Sequence, residues 1–278
     1  MPAGRVLTPP PPLDSLIAIV REAGAAVQGE RKKGLAISGK ASGGIVTSAD
    51  RASHDILARR CAERFPGVPL LGEEGEAGSP GPGPMLVADE LDGTAPFAAG
   101  SGHWGVMLAL VDREPTHGVI FLPDLEIMIS AEKGRGCRLN GRPVALEADA
   151  RLAGLLLGTE INDAMTPADW ELVRRAVACC RAARCLASAA ASACELLTGA
   201  THAYLNIRGG KIWDFAAISV AVTEAGGTAT DPSGRALAWD ALQMSLMAAS
   251  CPGVMDQLVD GMRLNHPMQP TGRNPAAG

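Results

Sequence analysis

The segment from Leu86 to Thr94 constrains the fold more than any other, because an apolar strand leads directly into a cluster of acids. The carboxylates of Asp89 and Asp92 can converge if the strand breaks between them, and such oxygen ligands suit hard divalent cations such as Mg²⁺. Gly93 allows close backbone approach, and its N–H and that of Thr94 could bind an anion. The segment therefore predicts a buried strand that ends at a candidate metal and anion site.

Two further acids stand where a metal ligand could join this cluster. Glu73 follows a short apolar stretch, Val68 to Leu71. Asp214 follows Trp213 at the predicted start of a helix, where a carboxylate ordinarily caps the N-terminus. Each acid alone is explained by a solvated turn or a helix cap, so the metal interpretation depends on their combination.

Apolar spacing predicts a helix near the start of the chain and strands after it. Asp14 or Ser15 is expected to cap the first helix, and Pro9 to Pro12 cannot be helical. The glycine-rich stretch from Gly34 to Gly44 predicts a hairpin or a mobile loop, and Asn140-Gly141 predicts a hairpin turn. The pattern predicts a helix over 48–64 and strands of an antiparallel sheet over 85–88, 104–111, 117–122 and 126–132.

The second half mixes strands and helices. Helices are predicted over 167–183, over 189–197, from Asp214 to Gly226 and over 253–262, and strands over 155–159 and 245–249. We expect one domain over residues 14–265, with an N-terminal α+β half (14–150) that carries the metal motifs and a C-terminal α/β half (151–265). Residues 1–13 and 266–278 are expected to be a disordered leader and a disordered tail.

Composition narrows the class of protein. The 278 residues are 47% hydrophobic, which is enough for a large core, and the net charge of -5 does not favour nucleic-acid or membrane binding. No segment approaches the ~18 apolar residues of a membrane span. Met1 to Leu13 lacks the apolar stretch of a secretory signal, and the cysteine spacing fits neither a zinc site nor a disulfide framework. We expect a cytoplasmic protein that binds neither a nucleic acid polymer nor a membrane.

Three blocks together resemble the inositol monophosphatase family in order and spacing. The first is Gly72-Glu73-Glu74. The second, Asp89 to Phe97, is similar to the family's Asp-Pro-Ile/Leu-Asp-Gly-Thr-x-Asn-Phe. The third, Trp213 to Ala217 with Glu224 to Gly227, is similar to its Trp-Asp-x-Ala-Ala and Glu-Ala-Gly-Gly signature. The resemblance covers most of the chain, from about Leu16 to Gly253.

The resemblance implies an α+β fold, a layered α/β/α/β/α sandwich that is usually a homodimer. It also implies hydrolysis of a small phosphate monoester, such as an inositol monophosphate, by a water that Mg²⁺ activates. Thr94 and Glu73 would position this water, and Asp50 would support Thr94 by hydrogen bonding. The implied Mg²⁺ ligands are Glu73, Asp89, the carbonyl of Leu91, Asp92 and Asp214. The implied substrate contacts are Gly93 and Thr94, whose N–H groups hold the phosphate, and Ser188, Ala189 and Asn206.

The chain departs from the family pattern on the substrate side. Glu90 stands where the family has proline, and Pro96 replaces an asparagine. Asn206 falls near the position where the inositol-specific enzymes of the family carry a glutamate that contacts sugar hydroxyls. Compared with the family pattern, this chain has one extra residue between Tyr204 and Asp214. Glu90 is interpreted either as a solvated carboxylate or as a group that favours a substrate carrying an amine. The substrate therefore stays open among inositol monophosphate, histidinol phosphate, a sugar bisphosphate and 3′-phosphoadenosine phosphate.

Two other classes of function also stay open. One is a non-catalytic relative that keeps the fold as a binding or scaffold protein. Loss of the metal ligands would favour this class, but the candidate ligands are all present in the sequence. A nucleotide-cofactor enzyme is suggested by the Gly-x-Gly-x-x-Gly pattern from Gly100 to Gly105. That pattern is expected to precede a strand, whereas a dinucleotide-binding loop links a strand to a helix.

Overall fold

Two large β-sheets and the helices around them make up the part of the chain that the computed structural model describes, residues 12–40, 44–75, 78–147 and 155–263. The predicted tail (266–278) and the predicted boundary between the halves, at residues 150 and 151, lie outside these ranges. The predicted leader lies outside them up to residue 11.

A short antiparallel hairpin, β1 (Ile37–Gly39) and β2 (Ile45–Thr47), precedes the first sheet. In the described residues this sheet has seven strands in the order in which they follow along the chain. They are β3 (Leu70–Gly72), β4 (Met85–Asp92), β5 (Gly105–Asp112), β6 (Glu114–Leu122), β7 (Ile127–Glu132), β8 (Gly136–Leu139) and β9 (Arg142–Val144). β3 pairs parallel with β4, and the other neighbours are antiparallel, as the sequence predicts. Asn140 and Gly141 join β8 to β9 with φ of 49° and 78°, which confirms the hairpin turn.

The second sheet is built from the C-terminal half. Its strands are β10 (Leu156–Thr159), β11 (Ala182–Arg184), β12 (Ala203–Lys211), β13 (Thr228–Thr230) and β14 (Gln243–Ala249). They lie in the order β11-β10-β12-β14-β13. β10 is parallel to both of its neighbours, and β14 is antiparallel to both of its own.

Seven α-helices fall within the described ranges. They are α1 (Leu13–Lys33), α2 (Ser48–Arg64), α3 (Thr94–Ala98), α4 (Pro167–Ala178), α5 (Ala189–Leu197), α6 (Ile212–Glu224) and α7 (Pro252–Arg263). None of these helices is long and apolar enough to cross a membrane.

The helices separate and cover the two sheets. α1 and α2 pack on one face of the first sheet, α5 and α6 fill the space between the sheets, and α4 and α7 cover the outer face of the second sheet. β4 is buried at all eight positions because helices cover both of its faces. These layers confirm the predicted α/β/α/β/α sandwich.

Three local predictions differ from the structure. α1 begins at Leu13, directly after the extended Pro12, so Asp14 lies in its first turn and does not cap it. The helix predicted over 167–183 ends at Ala178, because residues 182–184 pair with β10 as an edge strand. β12 is not predicted, although its pairing with β10 and β14 makes it the centre of the second sheet. In each case a tertiary contact or the preceding proline outweighs local propensity.

Arg31 ties α1 to the loop that runs from α3 to β5. Its guanidinium donates to Asp124 Oδ2 at 2.5 Å and to the carbonyls of Phe97 and Ser101 at 3.2 and 3.1 Å. The group also lies 3.9 Å from the centre of the Phe97 ring, and Trp104 Nε1 donates to the same Asp124 oxygen. The loop that contains the glycines between Phe97 and β5 is therefore held by α1. This loop leads into a strand and does not link a strand to a helix, so it is not a dinucleotide-binding loop.

We expect Arg31→Met to lower the free energy of unfolding by about 2 kcal/mol, because it removes three charged hydrogen bonds at a partly buried site. Urea unfolding of the purified protein measures this change. Arg174→Met is the control, since Arg174 makes an exposed ion pair with Glu171 and its loss should leave the urea midpoint nearly unchanged. A wild-type midpoint for Arg31→Met would show that other contacts hold the loop.

Candidate active site

The acidic turn lies where the pairing of β4 with β5 is interrupted. Asp89 pairs with Met107 and Asp92 pairs with Gly105, and the register shifts between the two acids. Such an irregularity re-aims side chains that would otherwise alternate along the strand. Asp89, Asp92 and Asp214 each offer one carboxylate oxygen, and these oxygens lie within 4.8 Å of one another.

Asp214 reaches the cluster from the first turn of α6. This helix begins at Ile212, and Asp214 Oδ2 accepts a hydrogen bond of 2.6 Å from the N–H of Lys211. Asp214 therefore caps the helix and also joins the acidic cluster. The two interpretations that the sequence offers for this residue are compatible in the structure.

Burial and the neighbouring acids disfavour the charged form of the acidic cluster. Burial raises the pKa of Asp89 well above its usual range, and the charges of Glu73 and Asp92 add to this shift. Burial raises the pKa of Asp214 to about 8 and that of Asp92 to about 6, the latter against hydrogen bonds that favour the charged form. A bound cation would relieve both the desolvation and the mutual repulsion.

Glu73 lies beside this cluster and not inside it. Its carboxylate accepts a hydrogen bond of 2.7 Å from Lys40 Nζ, and the same ammonium contacts Glu74. Burial opposes the charge on Lys40, but the two glutamates raise its pKa above the usual range. Sequence reasoning missed Lys40, and the available signal was a lysine within the glycine-rich segment that forms the β1–β2 hairpin.

Asp50 and Thr94 form a hydrogen-bonded pair next to the acidic turn. Thr94 Oγ lies 3.0 Å from Asp50 Oδ1 and 2.9 Å from the carbonyl oxygen of Leu91. Asp50 is buried near the start of α2, and its other oxygen accepts from the N–H and the hydroxyl of Thr47, both at 2.7 Å. The Asp50 carboxylate is therefore held in one orientation, with one oxygen left for Thr94.

The start of α5 holds Asp92 in place. The Ser188 hydroxyl donates to Asp92 Oδ2, and the N–H groups of Ala189 and Ala190 donate to its two oxygens at 3.1 and 2.9 Å. Ser188 and Ala189 are predicted to contact substrate, but here they contact the carboxylate of a predicted metal ligand. This arrangement results from the long-range contact between the start of α5 and β4, which the spacing of residues along the sequence does not reveal.

Asn206 lies on β12, just before an irregularity in its pairing with β14. The register shifts between Asn206 and Gly210. Asn206 is 6% exposed, and its Oδ1 has no hydrogen-bond partner among the described residues. A buried acceptor without a partner is costly unless a ligand or water completes it.

Glu90 differs from both interpretations that the sequence offers. It is fully buried, so it is not a solvated carboxylate. Its Oε1 lies 2.9 Å from His54 Nδ1, and its Oε2 accepts from the N–H groups of Glu73 and Glu74 at 3.0 and 3.4 Å. The hydrogen bond to Glu90 raises the pKa of His54. The carboxylate is thus used inside the protein, and its proposed role in binding a substrate amine is wrong.

Glu160 is a buried acid that sequence reasoning missed. Burial and the charge of Asp92 raise its pKa to about 7. Its Oε1 accepts from the Ser192 hydroxyl at 3.0 Å, and Cys185 Sγ lies 3.8 Å from Oε2. Glu160 directly follows β10 and is not part of an acidic motif. Its contact with Ser192 of α5 forms only when the chain folds, so the sequence carries no signal for it.

The donor set fits a hard divalent cation. It offers carboxylate oxygens from Asp89, Asp92 and Asp214, of which the first two are almost completely buried, and Glu73 lies close enough to raise their pKa values. Oxygen-rich acidic sites of this kind suit Mg²⁺ better than soft metals. The residues present are therefore able to hold Mg²⁺.

Comparison with known proteins gives a consistent result. The sequence profile of the inositol monophosphatase family matches residues 12–263. Inositol monophosphatase 2 of Solanum lycopersicum is 29% identical over 232 residues, which cover 80% of this chain and 88% of that protein. The Nus factor SuhB of Pasteurella multocida is 29% identical over 231 residues, which cover 81% of this chain and 86% of that protein.

A solved structure shows the same fold. The extragenic suppressor protein suhB of Bartonella henselae superposes with a TM-score of 0.80 and 24% sequence identity, covering 91% of this chain and 99% of that chain. At this identity the likeness concerns the fold alone.

Proposed function

This chain belongs to the inositol monophosphatase family, and from that premise we propose that it is a Mg²⁺-dependent phosphatase that hydrolyses a small phosphate monoester. The observation that carries the proposal is the convergence of Asp89, Asp92 and Asp214 from two distant segments of the chain. The proposed Mg²⁺ ligands are these three carboxylates, the carbonyl of Leu91 and Glu73. When bound, Mg²⁺ supplies neutralisation of the phosphate charge and lowers the pKa of a nearby water.

The residues around the proposed metal site have the groups needed to position the attacking water. Thr94 Oγ can accept a hydrogen bond from that water while its own proton points to Asp50 Oδ1, 3.0 Å away. The two hydrogen bonds from Thr47 hold the Asp50 carboxylate in the orientation that this role requires. Glu73 is proposed to contact the same water once Lys40 releases its carboxylate.

The phosphate is proposed to bind at the turn that carries Gly93 and Thr94. The N–H groups of these residues are the proposed donors to its oxygens. Attack in line with the leaving group then depends on position and charge, so no covalent nucleophile is required. Ser188, Ala189 and Asn206 lie on the proposed substrate side, with Ser188 and Ala189 acting through Asp92.

The substrate and the assembly are further parts of the proposal. We favour an inositol monophosphate, and histidinol phosphate, a sugar bisphosphate and 3′-phosphoadenosine phosphate are the alternatives within the family. The retained acidic cluster argues against a non-catalytic scaffold. A homodimer in the cytoplasm is proposed from the family resemblance, and light scattering of the purified protein tests the dimer.

Phosphate release from a panel of these four kinds of monoester tests the proposed reaction, with Mg²⁺ and with excess EDTA. We expect turnover of one compound far above the others, and complete loss of that turnover in EDTA because the acids then lack the cation that neutralises the phosphate. Turnover that persists in EDTA would contradict the metal mechanism. A folded, Mg²⁺-binding protein that turns over none of the compounds would favour the scaffold alternative.

A further inference from the structure

The geometry points to Glu90 as a positioning residue: with His54, it holds the Gly72–Glu74 turn beside the acidic cluster and so sets the position of Glu73 relative to the proposed metal site. The inference rests on the proposed function, because it concerns a residue that supports a proposed Mg²⁺ ligand. Glu90 occupies the position where the family resemblance places a proline, so this device belongs to the chain's own sequence.

Within the described residues, the Glu90 carboxylate makes its hydrogen bonds to the segment that carries Glu73 and to the helix beside it. One oxygen accepts from the backbone N–H groups of Glu73 and Glu74, at 3.0 and 3.4 Å. The other oxygen lies 2.9 Å from Nδ1 of His54, which is on α2. The carboxylate therefore links the strand that carries Asp89 and Asp92 to the turn that carries Glu73.

Packing restricts the turn further. Gly72 is the last residue of β3, and a Cβ built there would lie 2.2 Å from Glu90 Oε1. The carboxylate thus occupies the space that a side chain at position 72 would need. This contact between Gly72 and the Glu90 carboxylate sets the distance between β4 and the turn. It therefore also sets the position of the backbone from which the Glu73 side chain extends.

Glu90 does not face a substrate in this arrangement. Its side chain has no exposed surface, and its two oxygens are engaged by the turn and by His54. Groups that orient metal ligands without touching the metal commonly change metal affinity by about 10–100-fold when they are removed. The effect of Glu90 should therefore appear in Mg²⁺ affinity before any substrate is added.

Isothermal titration with Mg²⁺ alone tests the inference on four proteins. Glu90→Leu removes both acceptors at similar volume and should raise the Kd for Mg²⁺ about tenfold. Glu90→Gln keeps an acceptor for the Glu73 N–H and should restore the Kd to within about threefold of wild type. Glu132→Leu is the matched control, because Glu132, on β7 of the same sheet, also contacts a histidine. That histidine, His117 on β6, pairs with Leu110, far along β5 from Gly105 and the acidic turn.

The outcomes separate this inference from the proposed function. A wild-type Kd in Glu90→Leu, or an equal loss in Glu90→Gln or Glu132→Leu, would overturn the positioning role while leaving the metal site intact. Absence of Mg²⁺ binding by the wild-type protein would overturn the proposed function and this inference with it. If Glu90→Leu does not fold, the partly exposed His54→Leu takes its place and should also weaken Mg²⁺ binding several-fold.

Discussion

Asp214→Asn is expected to lower turnover by about three orders of magnitude while the protein stays folded. The loss corresponds to about 4 kcal/mol of electrostatic stabilisation from one metal ligand. The fold should survive because the asparagine oxygen can still accept the 2.6 Å hydrogen bond from the Lys211 N–H. The change also removes a carboxyl group whose charged form is disfavoured by burial and by the neighbouring acids, so the metal-free protein should be at least as stable as wild type.

Two measurements check this expectation on the same protein. Steady-state kinetics with the best substrate of the panel gives turnover, and thermal unfolding with and without Mg²⁺ gives the stabilisation by the metal, which should disappear in Asp214→Asn. Asp163→Asn, an exposed acid outside the site, is the control. Turnover close to that of wild type would remove Asp214 from the proposed metal site.

Asp92→Asn is expected to lose turnover to a similar degree but to be less stable. All three contacts to Asp92 that the structure shows are donors, from Ser188, Ala189 and Ala190. An amide at this position would place an N–H group against one of these donors. Asp214→Asn is therefore the variant that separates chemistry from folding.

Gly93→Ala is expected to lower kcat/KM about a hundredfold. Gly93 has φ 78° and ψ 39°, a left-handed conformation that costs an alanine about 1 kcal/mol. A Cβ at this position would also lie 3.0 Å from the carbonyl oxygen of His103 and 3.0 Å from Ser188 Cβ. The turn must shift to accept it, and a shift approaching 1 Å in the groups that position a reaction can cost about 10²-fold.

Gly100→Ala separates the effect of space from the effect of conformation. Gly100 has φ 89°, but a Cβ there meets none of the described atoms within 4 Å. Both variants should lose stability in urea unfolding, Gly93→Ala at least as much as Gly100→Ala, and Gly93→Ala alone should lose activity at saturating Mg²⁺. Equal activity in the two variants would mean that the close contacts at Gly93 do not hold the reacting groups.

Local pattern predicted the elements whose own residues determine them. The apolar spacing of α1 and α2, the sequence from Ala189 to Leu197 and the Asn140-Gly141 turn all form as expected. β11 and β12 could not be predicted in this way, because a short edge strand and a strand that contains Gly209-Gly210 acquire their conformation from their neighbours. The elements that were predicted depend mainly on local contacts, whereas β11 and β12 depend on long-range contacts.

By itself, the sequence determined which acids are available to the proposed site, since residue type and order along the chain decide which groups can bind a hard cation. It also determined the layered fold, through blocks that match one family over most of the chain. Only the tertiary structure decided that Ser188 holds Asp92 and that Glu90 faces inward to His54 and the Glu73 turn. These contacts join residues 96 and 36 positions apart, or cross from one strand to its neighbour, so only packing of the sheets and helices could bring them together.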